Sequence, residues 1–135
     1  MVSGVGIDLV EVARIERILA RRGEAFIRRV YAVEEIAYCQ EKVRPSLHFA
    51  ACFAVKEAFL KALGIGLSGG ISFTEIATVH DSKGKPSVKL SGKAGFFLRE
   101  QDLGRPAVSI SHTDVLATAI VIIEKRTGES GFDGE

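Results

Sequence analysis

Glu57 and Lys61 stand four residues apart inside an otherwise apolar run from Phe49 to Gly64. At helical pitch the two project from one stripe, above Ala50 and Ala54, whose small side chains leave room beside the carboxylate. Phe49, Phe53, Leu60 and Leu63 share one face of that helix, and Ala51, Val55, Ala58 and Ala62 a second, with Cys52 and Phe59 between them. A helix apolar on all sides belongs in a core. Charges are rarely buried there unless paired or bound to something, so Lys56, Glu57 and Lys61 need an explanation. Asp8 poses the same question in a strand-like segment, residues 2–10, where it shares a face with Gly6 and Val10 opposite Val5, Ile7 and Leu9. Aspartate is depleted in strands, and glycine there often marks a close approach by backbone or ligand. Taken singly, these residues read as a structural ion pair and a strand-end turn. Taken together, two carboxylates suit one hard divalent cation, with lysines nearby for phosphate.

The elements that must hold them form a small α+β domain, an antiparallel sheet packed against the long buried helix. A helix over Val12–Arg22 follows the first strand, with Ile15, Ile18 and Leu19 as its core stripe. A short helix is expected over Val33–Lys42, then the long one from about Ser46 to Leu63, stopped by Gly64. Leu67–Gly70 reads as a flexible turn. Ile71–His80 and Ser87–Leu90 read as strands joined by the turn Asp81–Pro86, and Ser91 can cap a helix running to about Gln101. Ala107–Ser111 and Val115–Glu124 make a last strand pair around His112–Asp114. The final strand, apolar on both faces, calls for a central position or a covering partner subunit. The domain is expected over residues 1–124, and the polar, Gly-rich residues 125–135 read as a disordered tail.

Composition narrows the class. At 135 residues, 47% hydrophobic and 26% charged, the chain has the make-up of one soluble domain, with no membrane-spanning run or signal peptide. Cys39 and Cys52 have no metal-ligand spacing and read as buried thiols in a reducing cytoplasm. The net charge of +1 conceals Arg14, Arg17, Arg21, Arg22, Arg28 and Arg29 within sixteen positions. Such a row is a solvated face or a docking surface for an acidic partner. Nucleic acid is disfavoured, because aromatic residues do not interleave the arginines and the chain is near neutral.

Three segments carry a resemblance: Gly6-Ile-Asp-Leu-Val-Glu-Val-Ala-Arg-Ile15, Phe53-Ala-Val-Lys-Glu-Ala-Phe-Leu-Lys-Ala-Leu-Gly-Ile-Gly66 and Val108-Ser-Ile-Ser-His112. In this order and at this spacing they resemble holo-acyl-carrier-protein synthase, the short bacterial type of 4′-phosphopantetheinyl transferase. The likeness runs from about residue 3 to about residue 124. It implies a transferase-like domain that moves the 4′-phosphopantetheine arm of coenzyme A onto a serine of apo acyl carrier protein. The reaction would depend on Mg²⁺, release 3′,5′-ADP and serve fatty-acid biosynthesis. Asp8 and Glu57 would hold the metal, and Lys61 would reach the phosphates. The base is left open between Glu57, directly or through water, and a water on the metal oriented by Asp8. Lys56 points toward Phe53 and Leu60, so its stem would lie in the core while its amine snorkels to a phosphate.

By the same resemblance His112 and Pro86 would contact the nucleotide end of the coenzyme, and Gly64 and Gly66 would line its passage. His48 and His80 have nothing to recommend them in the sequence. Arg14, and less strongly Arg21 and Arg28, would dock the acidic carrier protein. The family forms trimers with active sites at subunit interfaces, so a homotrimer is expected, Asp8 and Glu57 coming from one subunit and some coenzyme contacts from its neighbour. Three positions depart from the family pattern: Cys52 for a basic residue, Ile65 for a threonine, and Ala32 for a capping threonine. Two rival classes remain: a carrier-protein or nucleotide binder without turnover, and a structural trimer whose buried charges are salt bridges.

Overall fold

The computed structural model describes residues 1–66 and 69–126. Its organising element is α4 (Pro45–Leu63), which starts with proline in its first turn and ends at Gly64 in the left-handed conformation, φ 76°. Residues 47–60 of α4 are buried except His48 and Glu57. The helix lies on a three-stranded antiparallel sheet of order β1-β5-β4, formed by β1 (Val2–Glu11), β5 (Leu116–Glu124) and β4 (Ala107–His112). β5 takes the central place that its apolar composition calls for, with Ala117, Ala119, Val121 and Ile123 buried.

β1 fits against α4 because Gly4 and Gly6 bring no side chain to the contact. A Cβ on Gly6 would overlap the carbonyl oxygen of Ala58, and one on Gly4 that of Ala62. Gly6, Asp8 and Val10 therefore face the helix. Val5, Ile7 and Leu9, the more apolar set, point outward and are 54%, 61% and 62% exposed in the single chain. Gly6→Ala is expected to destabilise the fold by about 1–3 kcal/mol or more, because backbone rather than a movable side chain must give way. A urea titration checks this, with Gly66→Ala, where an added methyl meets nothing, as the control that leaves the midpoint in place.

Helix α1 (Val12–Arg22) has the expected bounds. Gly23, at φ 53°, breaks the chain there, and a further helix that the sequence reading did not identify, α2 (Glu24–Val30), follows. Next comes α3 (Val33–Gln40), shorter than expected. Ala32 cannot supply the capping oxygen of a threonine, but the other half of a capping box is present: Ala32 N donates to Glu35 Oε1 at 3.0 Å. The second sheet pairs β2 (Ile76–His80) with β3 (Pro86–Leu90), and α5 (Gly92–Glu100) follows. The strand expected from Ile71 begins only at Ile76. Phe73–Glu75 forms a 3₁₀ turn instead, its Phe73 carbonyl drawn inward to Lys56.

Of the turn expected over Leu67–Gly70, Leu67 and Ser68 lie outside the described residues, as does most of the expected tail, 127–135. The first two tail residues are ordered by pairing: Lys125 bridges Leu103, and Arg126 N donates to the Asp102 carbonyl at 3.0 Å. Among the described residues no helix is long and apolar enough to cross a membrane.

Candidate active site

The packing of β1 on α4 brings Asp8 and Glu57 together. The Asp8 side chain is 16% exposed, and Lys61 Nζ donates to its Oδ1 at 3.0 Å and to the Ile7 carbonyl at 3.1 Å. The sequence offers Glu57 as the partner of Lys61; the tertiary fold supplies Asp8. Burial, and then the Asp8 carboxylate, push the Glu57 carboxyl above its ordinary value, against the pull of Lys61 and Arg14. Arg14 stands over the Phe53 ring, 5.8 Å from its centroid. The two carboxylates lie close enough to repel one another, and the half-exposed Lys61 ammonium is hydrogen-bonded to Asp8 rather than to Glu57. That charge balance fits a divalent cation, with Asp8 and Glu57 as its protein ligands and the remaining positions left to phosphate and water. Among the described residues no group of three or more His, Cys, Asp or Glu could hold a metal, so a closed protein cage is not what this site offers.

Lys56 departs from the sequence expectation. Its side chain is fully buried, and the ammonium donates to Glu35 Oε1 at 2.5 Å, Ile76 O at 2.6 Å and Phe73 O at 2.9 Å. All three donors are used, so none can reach a phosphate. Glu35, equally buried, also accepts from Thr78 N at 2.9 Å. The pair ties α3, α4 and β2 together behind Glu57. Its signal in the sequence was only half visible: a buried lysine demands a partner, but nothing local points to Glu35 on another helix.

The remaining expected residues fall elsewhere. Gly64 N donates to Lys61 O at 3.0 Å to cap α4, and this is the helix's C-terminal, electronegative end, which does not attract phosphate. Gly66 is exposed just beyond it. Arg21 is exposed at the end of α1, while Arg28 lies on α2 past the break and pairs with Glu24 at 3.4 Å. Only Arg14 of the three adjoins the carboxylates.

His112 and Pro86 line a separate cleft of about 370 Å³, together with Gly84, Lys85, Cys52 and Val108–Ile110. The cleft draws in residues that sequence reasoning passed over: Tyr38, His48, Thr78 and His80. Two signals could have found them. His48 precedes Cys52 by one helical turn, and His80 pairs directly across the hairpin with Pro86. The cleft and the carboxylates occupy opposite flanks of α4. Ile110 of β4 pairs with Ala119 of β5, which pairs with Asp8 of β1, a separation of two strand spacings, roughly 10 Å.

Known proteins bear on this arrangement. Residues 4–119 match the 4′-phosphopantetheinyl transferase superfamily. A holo-[acyl-carrier-protein] synthase of Geotalea daltonii is 41% identical over 125 residues, covering 93% of this chain and 100% of that protein. The crystal structure of holo-[acyl-carrier-protein] synthase from Neisseria meningitidis superposes with a TM-score of 0.87 at 36% identity, over 93% of this chain and 100% of the other. The Helicobacter pylori synthase, solved in complex with coenzyme A, gives 0.78 at 33% identity, over 89% and 99%. With sequence and fold both matched over most of its length, the chain belongs to the 4′-phosphopantetheinyl transferase superfamily, in its holo-acyl-carrier-protein synthase family.

Proposed function

We propose that this chain transfers the 4′-phosphopantetheine group of coenzyme A to a serine of apo acyl carrier protein and releases 3′,5′-ADP, in fatty-acid biosynthesis. The observation that carries the proposal is the pairing of Asp8 and Glu57 beside Lys61. Asp8 and Glu57 would hold Mg²⁺, which when bound supplies Lewis-acid polarisation of the pyrophosphate and neutralises the leaving group. Lys61 leaves Asp8 and donates to the phosphates as negative charge builds on them. The serine oxygen forms a bond to the phosphorus bearing pantetheine, and the bond from that phosphorus to the 3′,5′-ADP oxygen breaks. Glu57 takes the serine proton, directly or through one water. The exposed Arg14, next to this site, would orient an acidic carrier protein over it, with Arg21 along the same helix.

The site is proposed to be completed by a neighbouring subunit in a homotrimer. Two features support this. The outward stripe Val5, Ile7 and Leu9 is apolar and exposed in the single chain. The cleft with His112 and Pro86 lies on the far flank of α4 from the carboxylates of the same chain, so one coenzyme would meet the two features from different subunits. A cytoplasmic setting is proposed as well, which suits the free, buried thiols of Cys39 and Cys52.

The test is intact-mass analysis of apo acyl carrier protein after incubation with this protein, coenzyme A and Mg²⁺. One phosphopantetheine mass should be gained, and EDTA should prevent the gain. A folded carrier protein that gains no mass in any arm would overturn the transferase reading.

A further inference from the structure

The cleft on the β4 flank contains chemistry that the transfer step does not use. His48 from α4, His80 from the end of β2 and His112 from the end of β4 converge on it. The Tyr38 ring joins them, stacked on His80 at 4.0 Å and edge-on to His48 at 6.0 Å, while His48 lies edge-on to His112 at 6.1 Å. Among the described residues, the buried side-chain polar atoms without a hydrogen-bond partner are Thr78 Oγ1 and His80 Nδ1, and both residues line this cleft. Thr78 is 1% exposed, so its hydroxyl has a partner only if a water or a ligand atom reaches it from the cleft. Among the described residues no arginine lines the space, and Lys85 is the one lysine that does.

Resting on the coenzyme A reading above, we infer that His48, His80 and Thr78 form a proton-coupled site for the 3′-phosphate of the coenzyme, in which binding the phosphate draws a proton onto the imidazoles. The pyrophosphate is assigned to the carboxylates, which leaves the 3′-phosphate as the anion available to this cleft. A guanidinium wall would bind it with fixed charge. The thiol of Cys52 supplies none, since its hydrogen bond with the Cys39 thiol and its burial hold it in the neutral form.

The surroundings of the histidines set the sign. Desolvation, and then Lys42, which stands over the Tyr38 ring at 4.4 Å, hold His48 and His80 below the ordinary imidazole value in the empty cleft. His112 and His80 push His48 in the same direction. Asp81 opposes weakly at His80, its carboxylate already accepting from Lys83 N and Lys85 N. Near neutral pH the empty imidazoles are therefore uncharged, and a phosphate dianion raises their affinity for protons. Affinity then falls as pH rises. The phosphate's own second ionisation, near pH 6, acts in the opposite direction and is complete above neutrality.

Isothermal titration of coenzyme A into the protein, in buffers of different ionisation enthalpy, counts the protons. Between roughly half and one proton should be taken up per ligand near pH 7, with affinity falling about three- to tenfold from about pH 6.5 to 7.5. Dephospho-coenzyme A should bind without this uptake, and His48→Gln and His80→Gln should each reduce it. Binding of coenzyme A with no proton uptake, or uptake unchanged in both variants, overturns the inference and leaves the transferase reading intact. No binding of either ligand, together with no transfer in the mass assay, removes both.

Discussion

Glu35→Ala is expected to destabilise the protein by about 3–5 kcal/mol, the cost of leaving a buried charge without its partner. Lys56 would keep the carbonyls of Phe73 and Ile76 but lose the counter-charge of Glu35, inside a core where both side chains are fully buried. Ala32 N and Thr78 N would lose their acceptor in the same step. Glu35→Gln, which retains an acceptor, should cost less. The double variant Glu35→Leu/Lys56→Met should recover part of the loss, but not the part owed to the two orphaned amides. Guanidinium titrations measure all three; a Glu35→Ala midpoint equal to that of the parent protein would rule out the pair as a central support. Burial holds the Lys56 ammonium below the ordinary lysine value even with Glu35 opposing it. The unfolded chain therefore binds more protons between the lowered and the ordinary value, and stability rises with pH across that window.

Glu57→Gln is expected to have the largest functional effect, lowering transfer by a hundredfold or more, because it removes one of the two proposed metal ligands and the proposed base. The melting temperature should hold or rise slightly, since burial and Asp8 already disfavour the charged form of Glu57. Mg²⁺ binding by the parent protein should strengthen with pH through the raised Glu57 value, because only the ionised carboxylate can ligate a cation. Stability runs the other way: between the ordinary and raised values the folded chain binds more protons, so a rise in pH there costs stability. A parallel loss of activity and melting temperature in Glu57→Gln would make the carboxylate structural rather than catalytic.

These two glutamates show what the sequence could and could not convey. The segments that read clearly were those whose signals are local. Pro45 and Gly64 bound α4, Val12–Arg22 keeps its predicted limits, and the hairpin turn after His80 falls where Asp81–Pro86 places it. Asp8, Glu57 and Lys61 were legible because charge inside an apolar pattern stands out. Lys56 carried the same signal with the opposite meaning, since its partner lies on α3 and periodicity carries no information across elements. The faces of β1 were likewise distinguishable but not assignable. Alternation separates Val5, Ile7 and Leu9 from Gly6, Asp8 and Val10, yet backbone contact places the less apolar set inward. Of the cleft, His112 and Pro86 were named through the resemblance alone; His48 and His80 were hidden for a third reason, since they meet His112 only after three elements have folded.

The glycine contact between β1 and α4 has a mechanical consequence. Most helix–sheet interfaces are cushioned by side chains, which can change rotamer and let the helix slip or tilt by fractions of an ångström. At Gly4 and Gly6 the strand's main chain rests on that of the helix, with no such cushion to deform. Asp8 follows Gly6 by two residues, and Glu57 immediately precedes Ala58, whose carbonyl Gly6 meets. The backbones that carry the two carboxylates are thus gauged by main chain against main chain, which would give the proposed ion, one that tolerates little error in the spacing of its oxygens, a stiff seat.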